Sequence, residues 1–459
     1  MPSLLFGTGL YKRTFGNLPE LRLVNFFAES APTAENQVVL QSRKGLTSSA
    51  TRGTGPINGL FSRKGVFNGD KFVISNNTLY REGSNLGTIL GIGPVSWAAS
   101  NTELVVTRGA SAYSYNGIDL EAISFPDGAN VRAVECIDGL FLFIKDNSQR
   151  WYWSTLNDAR TIDALDFASA ELMPDNLLDL KAIRGALYLF GEEGTEGWYP
   201  NGSNADLPFV RIDQRLFSKG VVATGCVSEV DQVLVMLGHD GAVYRITDGP
   251  ERISHHGIEE QIRASSAKAT FSFSYDGHHF FCVRLNTATY CWDAITGQWC
   301  EFASYGHANW RAKCATNVGT APYFGDDTSN VVWTFGATFT DSGNALEGYF
   351  RALFPVSGGA VAVDAITVHC NAGQTIPLSG DDANPVMEMR SSRDAGNTWG
   401  NWRDVSLGAQ GEYRNRVTWR RNGYFDAPGA MFEFRVTDQS PRRISAVYAN
   451  EAGGGRSRP

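Results

Sequence analysis

Short apolar runs separated by turn residues recur along most of the chain. They begin at Lys71, Glu103, Leu140, Ala186, Gln232, His279 and Thr320, so successive starts lie 32, 37, 46, 46, 47 and 41 residues apart. A second run follows most of them, at Thr78, Ala112, Arg150, Glu196, Ala242 and Ala288. Asn116-Gly117, Asn201-Gly202, Asp240-Gly241 and Asp276-Gly277 stand beside these runs. Such dipeptides tolerate the positive φ of a tight hairpin. Hairpins repeating about every 40–50 residues predict a β-propeller. The spacing predicts six or seven blades over residues 56–345, more hairpins than a single β-sandwich uses.

Two segments interrupt the period. Residues 155–182 read as a polar insertion with one helical turn. Residues 253–266 predict a short helix with Ile258 and Ile262 on one face. From residue 346 the spacing changes. Runs at 346–354, 362–370, 386–390, 401–405, 416–420 and 431–436 predict a C-terminal β-sandwich-like domain over residues 346–450. The fold class is all-β. Residues 1–55 remain as an extended N-terminal arm, available to close the propeller with one more strand or to reach a neighbouring subunit. Residues 451–459 read as a flexible tail.

Composition supports a turn-rich globular chain: 42% hydrophobic, 12% aromatic, and 49 Gly against 17 Pro in 459 residues. The net charge of −8 argues against a protein that coats nucleic acid by bulk charge. There is no apolar run of about 18 residues, so no membrane span is expected. The start, Met1-Pro-Ser-Leu-Leu-Phe-Gly, lacks the pattern of a signal peptide, and synthesis in a cytoplasm is expected. Seven cysteines are scattered, without a Cys-x-x-Cys or His-x-x-x-His pair. Cys282, Cys291 and Cys300 lie in strand-like runs and read as small buried residues. No metal and no cofactor are expected.

One local motif is sharp. Ser392-Arg-Asp394-Ala-Gly396-Asn-Thr398-Trp399 matches the Asp-box pattern Ser-x-Asp-x-Gly-x-Thr-Trp. Asp394 can accept turn amides, Gly396 supplies positive φ, and Trp399 is expected to anchor the turn in the core. The motif resembles that of sialidases and other propeller proteins, which makes a sialidase-type glycan hydrolase or a propeller-based glycan-binding module the alternative functions. The box occurs once and lies outside the repeats, and the arginine triad with a Tyr–Glu nucleophile pair cannot be assembled here. Walker A, Gly-x-Ser-x-Gly and His-Glu-x-x-His motifs are absent. The acidic pairs Glu192-Glu193, Glu259-Glu260, Asp326-Asp327 and Asp381-Asp382 read as solvated. No catalytic residues are assigned, and the chain is not expected to be an enzyme.

The order of motifs along the chain carries a further likeness. It runs Leu23-Val-Asn-Phe-Phe, Gln41-Ser-Arg-Lys-Gly-Leu, Asn77-Thr-Leu-Tyr80, Gly93-Pro-Val-Ser-Trp-Ala98, then Asp166-Phe-Ala-Ser-Ala-Glu171 before Pro174-Asp175. Phe190-Gly, Glu196-Gly-Trp198, Gly202, Phe209, Lys219-Gly220 and Ile253-Ser to Ile262 follow, then Val417-Thr-Trp-Arg-Arg. This order resembles the packaged-DNA stabilisation proteins of short-tailed bacteriophages, also called tail hub or nozzle proteins, over roughly residues 20–450. The resemblance implies a structural virion protein of the tail, assembled in the host cytoplasm. It implies a homohexameric ring below the head-to-tail adaptor that continues the DNA channel. Tail spikes or fibres, and a needle or plug, are the implied partners. Double-stranded DNA would pass through the lumen without sequence recognition.

Charge is unevenly spread. Residues 346–459 hold 13 Arg, no Lys and 12 acids, a balance of +1, which leaves −9 for the remainder. An acidic body suits a conduit along which DNA slides without sticking. Arg414, Arg416, Arg420, Arg421, Arg435, Arg442 and Arg443 cluster near the end of the chain. Arg favours bidentate pairing with carboxylates, so this set is a candidate interface to the adaptor or to the next subunit. A solvated strand face with outward arginines is the other reading.

Overall fold

The computed structural model describes residues 4–7, 9–12, 19–32, 34, 37–202, 207–356, 359–374, 383–427 and 429–451. The predicted tail beyond residue 451 and the Asp381-Asp382 pair lie outside the described residues. Among the described residues, seven antiparallel blades follow one another along the chain: residues 57–88, 95–122, 131–169, 177–217, 227–252, 268–302, and 312–335 joined by Leu46–Thr51. The last blade is completed from the other end of the propeller sequence. Leu46–Thr51 pairs with Val331–Phe335 as the outermost strand of blade 7.

The ring is held by its innermost strands, which pack side by side all the way round. Polar side chains bond across several junctions. The Thr270 hydroxyl donates to the Gly225 carbonyl (3.0 Å), and that of Ser272 to the Glu229 carbonyl (3.1 Å). The Lys313 ammonium donates to the Asn58 side chain (2.7 Å) from blade 7 to blade 1. Middle strands are apolar on both faces because each is covered by neighbouring blades. Ala186–Gly191, for example, is buried at every position. Asp276 (φ 52°) and Gly277 (φ 84°) make the tight turn expected of their dipeptide in blade 6.

The helix is His256–Ala264, with Ile258 and Ile262 both buried. Residues 155–182 contain no helical turn, contrary to the sequence expectation. Asp158 and Asp163 accept the amides of Arg160 and Leu165, both 3.0 Å, which turns the chain without coiling it. Phe167–Ser169 then pairs with Arg150–Trp153 as the outer strand of blade 3. Two of the acidic pairs read as solvated hold structure. Asp326 is fully buried and accepts the Trp333 indole N–H (2.6 Å) and the Arg311 guanidinium (2.7 Å). Glu259 receives Arg252 at both carboxylate oxygens, 2.6 Å each.

The second unit is a β-sandwich. One sheet runs in the order Phe26–Ser30, Val38–Ser42, Arg443–Glu451, Val361–Cys370, Val417–Phe425. The other runs Leu23–Val24, Gly348–Pro355, Gly429–Val436, Val386–Ser392, Arg403–Ser406. The sandwich therefore takes strands from both ends of the chain. Val24 pairs in parallel with Glu301, which makes the second sheet continuous with blade 6. A single apolar core joins Phe273 and Phe280 of blade 6, Trp310 of the connection to blade 7, Phe324 of blade 7, and Phe350, Trp419 and Phe432 of the sandwich. Arg43, fully buried beside this core, donates to both carboxylate oxygens of Asp341 (3.0 and 2.8 Å). That pair fixes the two chain crossings between the units.

Candidate functional site

The C-terminal arginines divide by strand register. In Val417–Phe425, Val417 and Trp419 face the core, and alternation turns Arg416, Thr418 and Arg420 outward. Arg414, Arg416, Arg420 and Arg443 line one groove of about 1050 Å³ on the outer face of the first sheet. His369 and Tyr448 floor it, their rings 4.6 Å apart. Arg421 adopts φ 58° at a bulge, where the register shifts between Val363 and Ala365. Arg443 donates to the Gln41 side-chain oxygen at 3.0 and 2.6 Å.

The other two arginines of the predicted set lie elsewhere. Arg442 is buried and donates to the carbonyls of Leu346 (2.5 Å) and Asp438 (2.6 Å). Arg435 clamps Glu388 through two bonds of 2.6 and 2.8 Å. The seven do not form one surface. Arg22, Arg351 and Arg390 pair with Glu433. Among the described residues none of Arg414, Arg416, Arg420, Arg421 and Arg443 forms an ion pair. Glu29, at the groove's edge, is committed to His278 at 2.9 Å.

The Asp-box turns the hairpin from Val386–Ser392 to Arg403–Ser406. Asp394 accepts the Thr398 hydroxyl (2.6 Å), the Thr398 amide (2.8 Å) and the Ser392 hydroxyl (2.7 Å). These bonds hold its carboxyl down at about 2. Gly396 sits at φ 90° and donates its amide to the Ser392 hydroxyl (2.8 Å). Trp399 is half-buried and does not enter the core as expected. Its indole N–H returns to the Gly396 carbonyl (3.0 Å), and Arg351 and Arg390 lie over its ring, each 4.9 Å from the centroid. Arg390 and Arg435 also flank Trp402 at 4.5 and 4.6 Å. The result is a ladder of alternating guanidinium and indole groups across the second sheet.

Sequence reasoning missed this ladder and its counter-ion. Glu433 is fully buried between Phe432 and Phe434. Burial alone would raise its carboxyl, but Arg351, Arg22 and Arg390 outweigh that and lower it. The available signal was an acid inside the strand Met431-Phe-Glu-Phe-Arg-Val, where only a paired charge is tolerated.

The propeller axis holds a polar cavity of about 670 Å³ lined by inner-strand residues, among them Trp97, Glu135, Lys181 and Glu229. Lys181 and Glu135, on the neighbouring inner strands of blades 4 and 3, pair on its wall at 3.6 Å. Spread over an inner strand of about 20 Å, that volume leaves a bore of roughly 7 Å. Among the described residues no group of three or more His, Cys, Asp or Glu side chains is placed to hold a metal ion, and no helix is long and apolar enough to cross a membrane.

A closed seven-bladed propeller thus shares its core with a β-sandwich that carries an open arginine groove. Family models give this architecture its class, a structural protein of a phage tail. One described as the β-propeller of bacteriophage P22 Gp10 matches residues 3–339, and one described as its β-sandwich matches residues 349–451. The chain belongs to the bacteriophage P22 Gp10 family, and it is a structural protein of a phage tail, located in the virion.

No curated protein matches the chain. Among solved structures it is similar to the computationally designed Ika8 protein, at 13% identity and a TM-score of 0.40, covering 72% of this chain and 98% of that one. It is also similar to the Cps50 (Swd1) propeller domain of Myceliophteria thermophila, at 10% identity and 0.44, covering 63% and 100%. YCF48 bound to D1 peptide gives 10% and 0.39, covering 64% and 95%. These likenesses carry no functional argument.

Proposed function

We propose that this protein is the nozzle of its tail: six copies in a ring below the portal adaptor, continuing the DNA path and retaining the packaged genome. The propeller's narrow axis carries this reading. A bore of roughly 7 Å is smaller than the major groove of B-DNA alone, about 12 Å wide. A tail protein of this fold has to leave the duplex a path between copies, and a closed ring provides one. The acidic balance of residues 1–345 suits a wall that does not retain phosphate.

In this reading the ring's outer surface anchors tail spikes or fibres, its distal end meets a needle or plug, and its work is mechanical with no chemical step. The Asp-box serves as a hairpin turn: its carboxylate is engaged by Thr398 and Ser392. The test is to mix the purified chain with an adaptor–portal complex. Six copies of 50.1 kDa add about 300 kDa and a ring visible by negative stain. A chain that stays monomeric and never joins the complex overturns the reading.

A further inference from the structure

The arginine groove faces a complementary feature on the far side of the same molecule. Residues 155–176, around the outer strand of blade 3, contain Asp158, Asp163, Asp166, Glu171 and Asp175 against the single base Arg160. Arg160 is already committed to Asp119 (2.9 Å) and Glu121 (2.7 Å) of blade 2. Among the described residues Asp163 and Asp166 have no cationic partner. Burial and the neighbouring Asp163 push the Asp166 carboxyl up, as expected for an acid pair without a counter-ion. Between them Leu165 stands 79% exposed. The segment is an acidic loop with an apolar tip, and among the described residues no cation pairs with Asp163 or Asp166.

Position in the ring matters as much as charge. The groove belongs to the sandwich, which shares its core with blades 6 and 7. Blade 3 is three blades away from each of them, on the opposite side of the sevenfold circle. Two complementary surfaces at opposite sides of one subunit make a heterologous, head-to-tail contact, the kind that closes a cyclic ring. Four guanidinium groups that form no ion pair among the described residues, on an otherwise acidic molecule, fit a carboxylate-bearing occupant.

We propose that the acidic loop at Asp163–Asp166 of one copy seats in the Arg414, Arg416, Arg420 and Arg443 groove of the next copy, with Leu165 against the His369–Tyr448 floor. This contact rests on the ring reading above and names the surfaces that would form it. The adaptor is the competing source of acidic groups, and charge exchange separates the two.

Full-length variants R416E/R420E and D163K are each mixed with the adaptor–portal complex, and ring formation is followed by sedimentation and negative stain. Each variant is expected to need about tenfold more protein for half-assembly. An equimolar mixture is expected to recover most of the wild-type assembly as alternating rings, in which every groove meets a loop of opposite charge, and so is the triple variant, which carries both reversals on every chain. L165A, which removes no charge, is expected to weaken assembly without altering the monomer's thermal midpoint. If R416E/R420E blocks assembly and D163K neither weakens nor rescues it, the groove serves the adaptor and the proposal falls while the ring stands. If both variants assemble normally, the contact is wrong and the ring again stands. A wild-type chain that forms no ring removes both.

Discussion

The imidazole Nε2 of His278 lies 2.9 Å from the Glu29 carboxylate, so one hydrogen-bonded pair ties the sandwich to the turn of blade 6. His278 is almost wholly buried, and its Nδ1 meets Asp293 at 2.9 Å. Burial disfavours the charged ring, but the two carboxylates outweigh it and push the value up to about 9. The folded value lies above that of free imidazole, so the stabilisation is complete below about pH 6.5 and is lost as pH rises through 9. Denaturant titrations of the wild type are expected to lose about 2 kcal/mol between pH 7 and 10 from this group. H278Q is expected to be weaker at pH 7 and to lack this part of the pH slope. An unchanged slope would contradict the pairing.

Glu433 pairs with three arginines from a fully buried position. Its removal leaves buried Arg351 with only the Glu20 carboxylate, at 3.8 Å, as its counter-ion, and E433A is expected to cost about 3–5 kcal/mol in denaturant unfolding. E433Q keeps the shape but not the charge and is expected to fall between the variant and the wild type.

The Asp-box carboxylate is held low, so its contribution is present above the free carboxyl value of about 3.8 and is lost as pH falls towards 2. D394N removes the charged acceptor at every pH. Amide exchange at Gly396 and Thr398 is expected to speed up in that variant, while exchange in the blades stays as it was. Trp399, freed from its turn, is expected to leave the space between Arg351 and Arg390.

Leu46 is almost fully buried in the core shared by blades 6 and 7 and the sandwich. L46A is expected to cost about 2–5 kcal/mol. Calorimetry is expected to show one transition covering both units, shifted as a whole by that substitution. Two separate transitions would show that the shared core does not couple them.

Much of the fold was legible because of which strands the sequence exposes to pattern reading. The seven run starts fall on the second strand of each blade, such as Leu140–Lys145 and Val233–Leu237, where cover on both faces forces unbroken apolar residues. The inner strand Ala312–Val318 is half-exposed to the axial cavity, and Ser84–Thr88 and Leu120–Ala122 lie at the rim. Those strands are too polar or too short to stand out, which left the blade count between six and seven. Composition made the arginines visible, but register decides their roles. Arg442 lies one residue from Arg443 and points the opposite way, to the Leu346 carbonyl. The Arg–Trp ladder depends on strands brought together from residues 349–351, 388–402 and 433–435, a proximity no local pattern encodes.

The strand Leu46–Thr51 also sets a schedule. It leaves the ribosome early, yet its partner Val331–Phe335 is made about 280 residues later. At roughly 5–20 residues per second the strand waits about 15–60 s with its edge unpaired. Most of its length, Thr47-Ser-Ser-Ala-Thr51, is polar or small, so the waiting segment offers neighbouring nascent chains little to stick to. The propeller can be completed only after its final blade has been translated, and fragments released before that point are expected to remain open rings.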